Sequence, residues 1–394
     1  MSVQRPSGRL PAGIWVLGFV SLLMDMSSEM IHALLPMFMV GPLGMSVALV
    51  GLLEGLAEAV ALLAKMFSGV LSDWLGRRKH LALLGYGLSA ATKPLFALAV
   101  GPLGPALVIT ARLLDRVGKG MRGAPRDALV ADLAPPELRG AAFGLRQALD
   151  TLGAFLGPLL ATVLMLLWAD SFRAVFALAL VPALLCVLLL AAGVHEPERA
   201  GGVARANPMS RASLARLPRA YWWVVGIGAV FTLARFSEAF LVLRAEQVGV
   251  PIALVPLLMV AMNAVYALTA YPFGRLADHV AQRALLGWGL VVLVLADVLL
   301  ALGVHWSGLL LGVLLWGLHM GMTQGLLSAM VAASAPADLR GTAFGFFNLV
   351  SGLAMLAASV LAGLLWQYLA PAWTFGAGAV FAGAALLALR GDGH

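Results

Sequence analysis

APPELRGAAFGLRQALDTLGAFLGPLLA (residues 134–161) returns without a gap as APADLRGTAFGFFNLVSGLAMLAASVLA (335–362). Each copy opens with a Pro-containing polar turn and Leu-Arg-Gly, then runs on through apolar residues. Each is long enough to cross a hydrocarbon core of about 30 Å as a helix. Two shorter matches keep the same order: GVLSD (69–73) with GRLAD (274–278), and SSE (27–29) with FSE (236–238). The chain is therefore an internal repeat of hydrophobic spans. Parallel repeats about an axis along the membrane normal form a transporter architecture, with the solute site near the bilayer midplane.

The composition extends this reading to the whole chain. Of 394 residues, 61% are hydrophobic and 11% charged, and mean hydropathy is +0.95. A soluble domain is about half apolar and a quarter charged. Twelve apolar runs recur, at 14–40, 47–71, 80–101, 105–130, 140–168, 172–194, 220–243, 250–276, 284–303, 308–333, 341–368 and 372–390. Gly and Ala are frequent in them, as suits closely packed membrane helices. The alternating ten-residue segments of a membrane barrel are not found. The fold class read here is an all-α polytopic membrane protein, with twelve transmembrane helices in two six-helix bundles related by pseudo-two-fold symmetry. Residues 1–194 form the N-terminal bundle, the basic polar segment 195–219 a cytoplasmic linker, and 220–394 the C-terminal bundle.

Lys and Arg set the orientation. The loops on the side of both termini hold fifteen of the 26 cations, and the opposite loops only Arg173 and Arg244. Both termini are expected in the cytoplasm, with the protein integral to a plasma membrane of the bacterial inner-membrane kind. The net charge of +7 largely reflects this bias, so no nucleic-acid partner is implied. Cys186 is the only cysteine, which excludes an intrachain disulfide. The basic N-terminus reads as the lead-in to a retained first helix, because the span after it carries Asp25 and Glu29 and shows no cleavage site.

The loop after span 2 reads Gly69-Val-Leu-Ser-Asp73-Trp-Leu-Gly76-Arg77-Arg78-Lys79. It resembles the signature loop of the major facilitator superfamily. Arg116-Val-Gly-Lys119-Gly120 in span 4 is similar to that family's second motif, with Lys119 in place of the usual Gln. Gly153-Ala-Phe-Leu-Gly157-Pro158 in span 5 resembles the motif associated with its antiporters. The resemblance implies helices 1, 4, 7 and 10 around a central cavity. It also implies that Gly69, Asp73, Gly76, Arg77, Arg78 and, from span 4, Asp127 act as a conformational switch. Asp73 would sit against the N-terminus of helix 11 near Arg340.

An ionisable residue at the bilayer centre costs about 2.5–3.5 kcal/mol on insertion scales, so it faces a cavity or a partner. Nine cations lie within the spans. At ~1.5 Å per residue, Asp25, Arg116 and Asp150 lie roughly 15–20 Å from the cytoplasmic ends of their helices. Spacing gives common faces: Asp25, Glu29 and His32; Arg112, Arg116 and Lys119; Arg146 and Asp150; Glu54, Glu58 and Lys65. In the repeat, Arg112, Asp115, Arg116, Arg146 and Asp150 correspond to Val313, Trp316, Gly317, Phe347 and Ser351. The second half thus makes the same fold without these ions. Its clear intramembrane charges are Arg235, Glu238 and Asp297. The substrate or proton pathway is accordingly expected at Asp25, Glu29, Arg112, Arg116, Arg146, Asp150 and Glu238. Gly153, Gly157 and Pro158 are expected in helix packing. Arg122 and Arg126 read as snorkelling residues near the cytoplasmic surface, and His319 as a packing histidine.

These residues point to a secondary active transporter working by alternating access. Proton-coupled export of a small anionic or zwitterionic organic solute or drug is the expected activity. The alternative is a divalent transition-metal exporter using Asp25, Glu29, His32 and His319. The expected partners are the solute, protons and the lipid bilayer, for a monomer with no cofactor. The nucleotide-binding pattern G-x-x-x-x-G-K-[ST] is absent from the sequence, which argues against ATP-driven transport, and no enzymatic chemistry is indicated.

Overall fold

Inside a bilayer the backbone N–H and C=O groups of an apolar segment must pair within that segment, so such segments fold as helices. In a computed structural model of the chain, the residues described are 10–75, 77–135, 138–196, 216–276, 279–336 and 339–391. The side chains of 70, 73–75, 139–140, 328–329, 332, 340–342 and 390–391 lie outside that description. So do Gly76 and most of the segment expected as a linker.

The described residues form α-helices and short 3-10 turns. In chain order the helices are α1 (Ala12–His32), α2 (Leu35–Val40), α3 (Val47–Leu75), α4 (Arg78–Ala97), α5 (Gly104–Leu133), α6 (Arg139–Leu167), α7 (Phe172–Leu178) and α8 (Leu180–Gly193). There follow α9 (Arg219–Ala234), α10 (Ala239–Gln247), α11 (Pro256–Leu276), α12 (Gln282–Leu302), α13 (Trp306–Ser334), α14 (Arg340–Tyr368) and α15 (Pro371–Gly391). Counting α1 with α2, α7 with α8 and α9 with α10, these make twelve spans, six in each half. Ten are long and apolar enough to cross a membrane by length and composition. The other two are α4 and α5, 20 and 30 residues long. They are long enough but less apolar than the others: α4 carries Arg78, Lys79 and Lys93, and α5 the ions from Arg112 to Asp132.

The breaks have local causes. The first span bends at residues 33–34, where Pro36 stands in the first turn of α2 and brings no N–H to the ladder. The seventh opens at residues 235–237. SSE is therefore helical in α1, whereas its counterpart FSE straddles a break. Ala169 and Asp170 take φ of 50° and 61° in the turn between α6 and α7.

The chain divides into two compact units: residues 1–32 with 60–204, and residues 33–59 with 205–394. The division departs from a simple cut at the linker. Residues 33–59, which end in the first half of α3, group with the second unit. There Val47 N–H donates to Gln367 Oε1 at 3.1 Å, and a side chain on Gly363 would meet Ala48 Cα at 3.0 Å. The first unit packs Ile14, Leu17, Val20 and Met24 of α1 with Tyr86, Leu129, Val130, Cys186 and Leu190. Cys186 is buried in this core.

Candidate functional site: a charged network in the first unit

Helices α1, α4, α5 and α6 bring the intramembrane ions of the first unit together. Close approach of α1 and α6 depends on the Gly153–Gly157 pair. A Cβ on Gly157 would meet Met26 O at 2.7 Å and Glu29 Cβ at 2.8 Å. One on Gly153 would collide with Leu22 O. The span 5 motif is thus a packing face, and it presses directly against the acid-bearing face of α1. Pro158 stands inside α6 at the same level.

The first group lies nearest the N-terminal end of α5. Arg112 donates an N–H to His32 Nε2. Arginine has no acceptor, so in this pairing the imidazole nitrogen is the acceptor. Nδ1 lies 3.6 Å from Glu29 Oε2.

One turn deeper stands a buried ion pair. Lys93 Nζ lies 3.1 Å from Asp115 Oδ1 and donates to Ser28 Oγ at the same distance. Arg116 Nε is 3.8 Å from the other Asp115 oxygen.

The third group centres on Asp25 of α1 and Asp150 of α6, which lie close enough for the charge of each to bear on the other. Arg122 reaches Asp25 at 3.9 Å, donates to Ser89 Oγ at 2.6 Å and stacks over Tyr86, 5.0 Å from the ring centre. Arg126 reaches Asp150 at 3.5 Å, Asp127 at 3.1 Å and Ser21 Oγ at 3.2 Å. Arg146 bridges Asp150 at 3.7 Å and Asp127 at 3.8 Å. Lys119 is exposed, and its charge bears on Asp25, Glu29 and Asp150.

Spacing groups these charges by helix face, and the structure adds their partners across helices. Arg112 and Arg116 share the expected face, yet they meet His32 and Asp115. Asp25 meets Arg122, and Asp150 meets Arg126. Arg122 is buried and Arg126 lies within the network, so neither is a snorkelling surface residue. The reason is the length of α5. It continues to Leu133, which sets Arg122 eleven residues inside its end, roughly 17 Å deep. Lys93 carried no signal in the reading from spacing, because its partner is on another helix. Asp127 belongs to the Arg126–Arg146 network.

The remaining candidates lie apart. Arg78 donates to Asp132 Oδ2 at 2.5 Å and Ala128 O at 3.0 Å, and its backbone N–H meets Glu196 Oε1 at 2.5 Å. Arg77 is exposed just before α4, and a Cβ on Gly69 would touch Ala124 at 3.4 Å. The Asp73 side chain and Gly76 lie outside the described residues. In the second unit, Glu238 precedes α10 at the break in the seventh span. His319 hydrogen-bonds Gly289 O through Nδ1 at 2.8 Å and stacks on Phe231, as a packing histidine does. Among the described residues no three His, Cys, Asp or Glu side chains form a metal-binding group.

Comparison with known proteins agrees with this architecture. The family model described as Major Facilitator Superfamily matches residues 17–243 and 231–392. An uncharacterised MFS-type transporter of Methanocaldococcus jannaschii is 34% identical, over 95% of this chain and 93% of its own. The human major facilitator superfamily domain-containing protein 10 is 27% identical, over 85% of this chain and 76% of its own. Among solved structures, a mutant of the nucleoside transporter NupG superposes with a TM-score of 0.77 at 14% identity, covering 96% of this chain and 98% of that one. The human organic anion transporter MFSD10 does so with 0.64 at 20% identity, covering 98% and 100%; these likenesses speak to fold. With the model matching both halves and a relative a third identical nearly end to end, the chain belongs to the major facilitator superfamily, as a non-enzymatic transport protein of the membrane.

Proposed function

We propose that the protein is a proton-coupled exporter of a small anionic or zwitterionic organic solute, working by alternating access. The observation that carries this reading is the Asp25–Asp150 carboxyl pair inside a ring of arginines. Two neighbouring carboxyls favour sharing one proton, since like charges so placed repel. They would titrate as a pair rather than as separate acids. The pair is ringed by arginines, so a modest shift in their distance would release or take up the shared proton. A solute anion competing for the same arginines would produce such a shift.

The sign of the site supports an anion. Lys93, Arg112, Arg116, Lys119, Arg122, Arg126 and Arg146 outnumber Asp25, Glu29, Asp115, Asp127 and Asp150, seven to five. A bound anion would balance part of that excess. Of the similar proteins, MFSD10 is described as an organic anion transporter. A protein named multidrug resistance protein MdtH, from Yersinia pestis, is 30% identical over 39% of this chain, which supports the export direction. The metal-exporter reading is disfavoured by Arg112, whose guanidinium lies against His32 Nε2 and would repel a cation.

In the same proposal, Gly69 to Arg78 form the conformational switch, with Arg78 anchoring the start of α4 to Asp132 and Glu196. Both termini face the cytoplasm. The test is purified protein in liposomes carrying an entrapped pH dye, under an imposed pH gradient. Solute classes would be added one at a time. Proton movement on adding organic anions or zwitterions, and none with divalent cations, is the expected result. Proton movement only with divalent cations would replace the reading with metal export.

A further inference from the structure

Asp297 is a buried acid that the first-unit network does not use. It lies in α12, is 0% exposed, and among the described residues neither carboxyl oxygen has a hydrogen-bond partner. The fold nevertheless makes room for it. A Cβ on Gly378 of α15 would come within 2.6 Å of Oδ2 and 3.1 Å of Cγ. The same point lies 3.1 Å from Phe236 Cε1. Phe236 packs in turn on Trp316 and Phe375, each with ring centres 5.4 Å away. The carboxyl thus occupies an aromatic and glycine-lined space.

The charged groups on neighbouring elements are engaged elsewhere or stand at the break. His319 of α13 bonds Gly289 O. Arg244 of α10 caps the end of α12 at Leu300 O and Gly303 O, 3.0 Å each. Arg235 and Glu238 flank the break between α9 and α10. The described side chains of α15 include no charged residue.

The repeat gives this position a meaning. KPLFAL (93–98) matches DVLLAL (297–302), so Asp297 stands where the first unit has Lys93. The register that places His319 opposite Gly118 also places Trp316 opposite Asp115. Contacts agree with both registers: Gly85 approaches Gly118 O in the first unit, and Gly289 O meets His319 in the second. The Lys93–Asp115 ion pair of the first unit is therefore replaced in the second by Asp297 and Trp316. The indole Nε1–H of Trp316 is also buried and without a partner among the described residues.

A carboxylate left there with no donor would bear a heavy desolvation penalty, whereas the neutral acid bears far less. We propose that Asp297 is a proton-binding site of the second unit, occupied in this conformation, with the Trp316 indole N–H as the donor that receives the carboxylate when the proton leaves. In that step the carboxyl O–H bond breaks heterolytically. Water admitted by a rearrangement of α12 against α13 takes the proton, and the carboxylate accepts the indole N–H. The proposal stands independently of the Asp25–Asp150 pair.

The test is infrared spectroscopy of the purified protein in liposomes at neutral pH. The difference between parent and Asp297→Asn should show a protonated carboxyl C=O stretch that shifts in deuterium oxide. Gly378→Ala, which keeps the acid but crowds Oδ2, should move that band. Trp316→Phe should keep the band and extend it to higher pH, because the carboxylate has lost its donor. Asp25→Asn should leave it in place, which separates this site from the first-unit pair. Identical spectra for parent and Asp297→Asn, read with an unmoved band in Gly378→Ala, would overturn the proposal. Loss of the band on adding sodium at constant pH would also overturn it, in favour of a metal cation. A Trp316→Phe titration indistinguishable from the parent would remove the indole from the mechanism.

Discussion

The Lys93–Asp115 pair offers a sharp test of what the ions in the first unit are for. Its side chains are 1% and 5% exposed and 3.1 Å apart. Among the described residues Lys93 has one further partner, Ser28 Oγ at 3.1 Å, and Asp115 keeps Arg116 at 3.8 Å. Asp115→Leu would leave the ammonium buried against a single hydroxyl. Removing one member of a buried pair costs about 3–5 kcal/mol, whereas replacing both members by apolar residues of similar volume is often neutral or better. The single change should lower the folded-to-unfolded ratio by roughly two to four decades. The double variant Lys93→Met with Asp115→Leu should return to within about 1 kcal/mol of the parent. Reversible unfolding in mixed micelles with increasing dodecyl sulfate measures both. A single-variant loss under ~1 kcal/mol would refute the reasoning, as would a double variant whose losses simply add. The first would mean that water reaches the pair, the second that each residue has its own separate partner.

Three other outcomes follow from the same geometry. Asp25→Asn and Asp150→Asn should each abolish solute accumulation driven by a pH gradient while solute exchange at equal pH continues; accumulation at parental rates in both would remove the carboxyl pair from coupling. Arg116→Lys should weaken solute binding roughly tenfold, because lysine lacks the planar fork that meets a carboxylate at two points, and isothermal titration with a transported anion would show whether affinity is unchanged instead. Gly157→Ala should destabilise the first unit by about 1–3 kcal/mol through overpacking against Met26 and Glu29, seen as a lowered unfolding midpoint, whereas Gly144→Ala, with nothing within 4 Å of its Cβ, should not.

Much of this protein was legible without tertiary information, for reasons that are local. Apolar runs of membrane length and the backbone's need to pair within each run make helices. The gapless match of 134–161 with 335–362 makes two halves. Residues three, four and seven apart share a face because the helix turns every 3.6 residues, so the acid stripe of α1 and the basic stripe of α5 were readable as stripes. The Gly-x-x-x-Gly-Pro segment was readable as a packing face.

Partners across helices were not readable. Asp25 lies thirteen residues after Ala12, roughly 20 Å along α1. That depth is compatible with Arg116, and equally with Arg122 once α5 is known to run to Leu133. Depth fixes height in the membrane, but not the rotation of a helix about its axis. The rotation comes from which small residues let which helices touch, as Gly157 does beneath Glu29 and Gly378 does beside Asp297. The seventh span shows the same division. The repeat aligns FSE with SSE, yet only packing opens the helix at residues 235–237 and sets Phe236 against Trp316. The sequence determined where each charge sits along its helix, because covalent geometry sets that. Which charges meet depends on contacts between residues far apart in the chain, so it emerges with the packing of the helices.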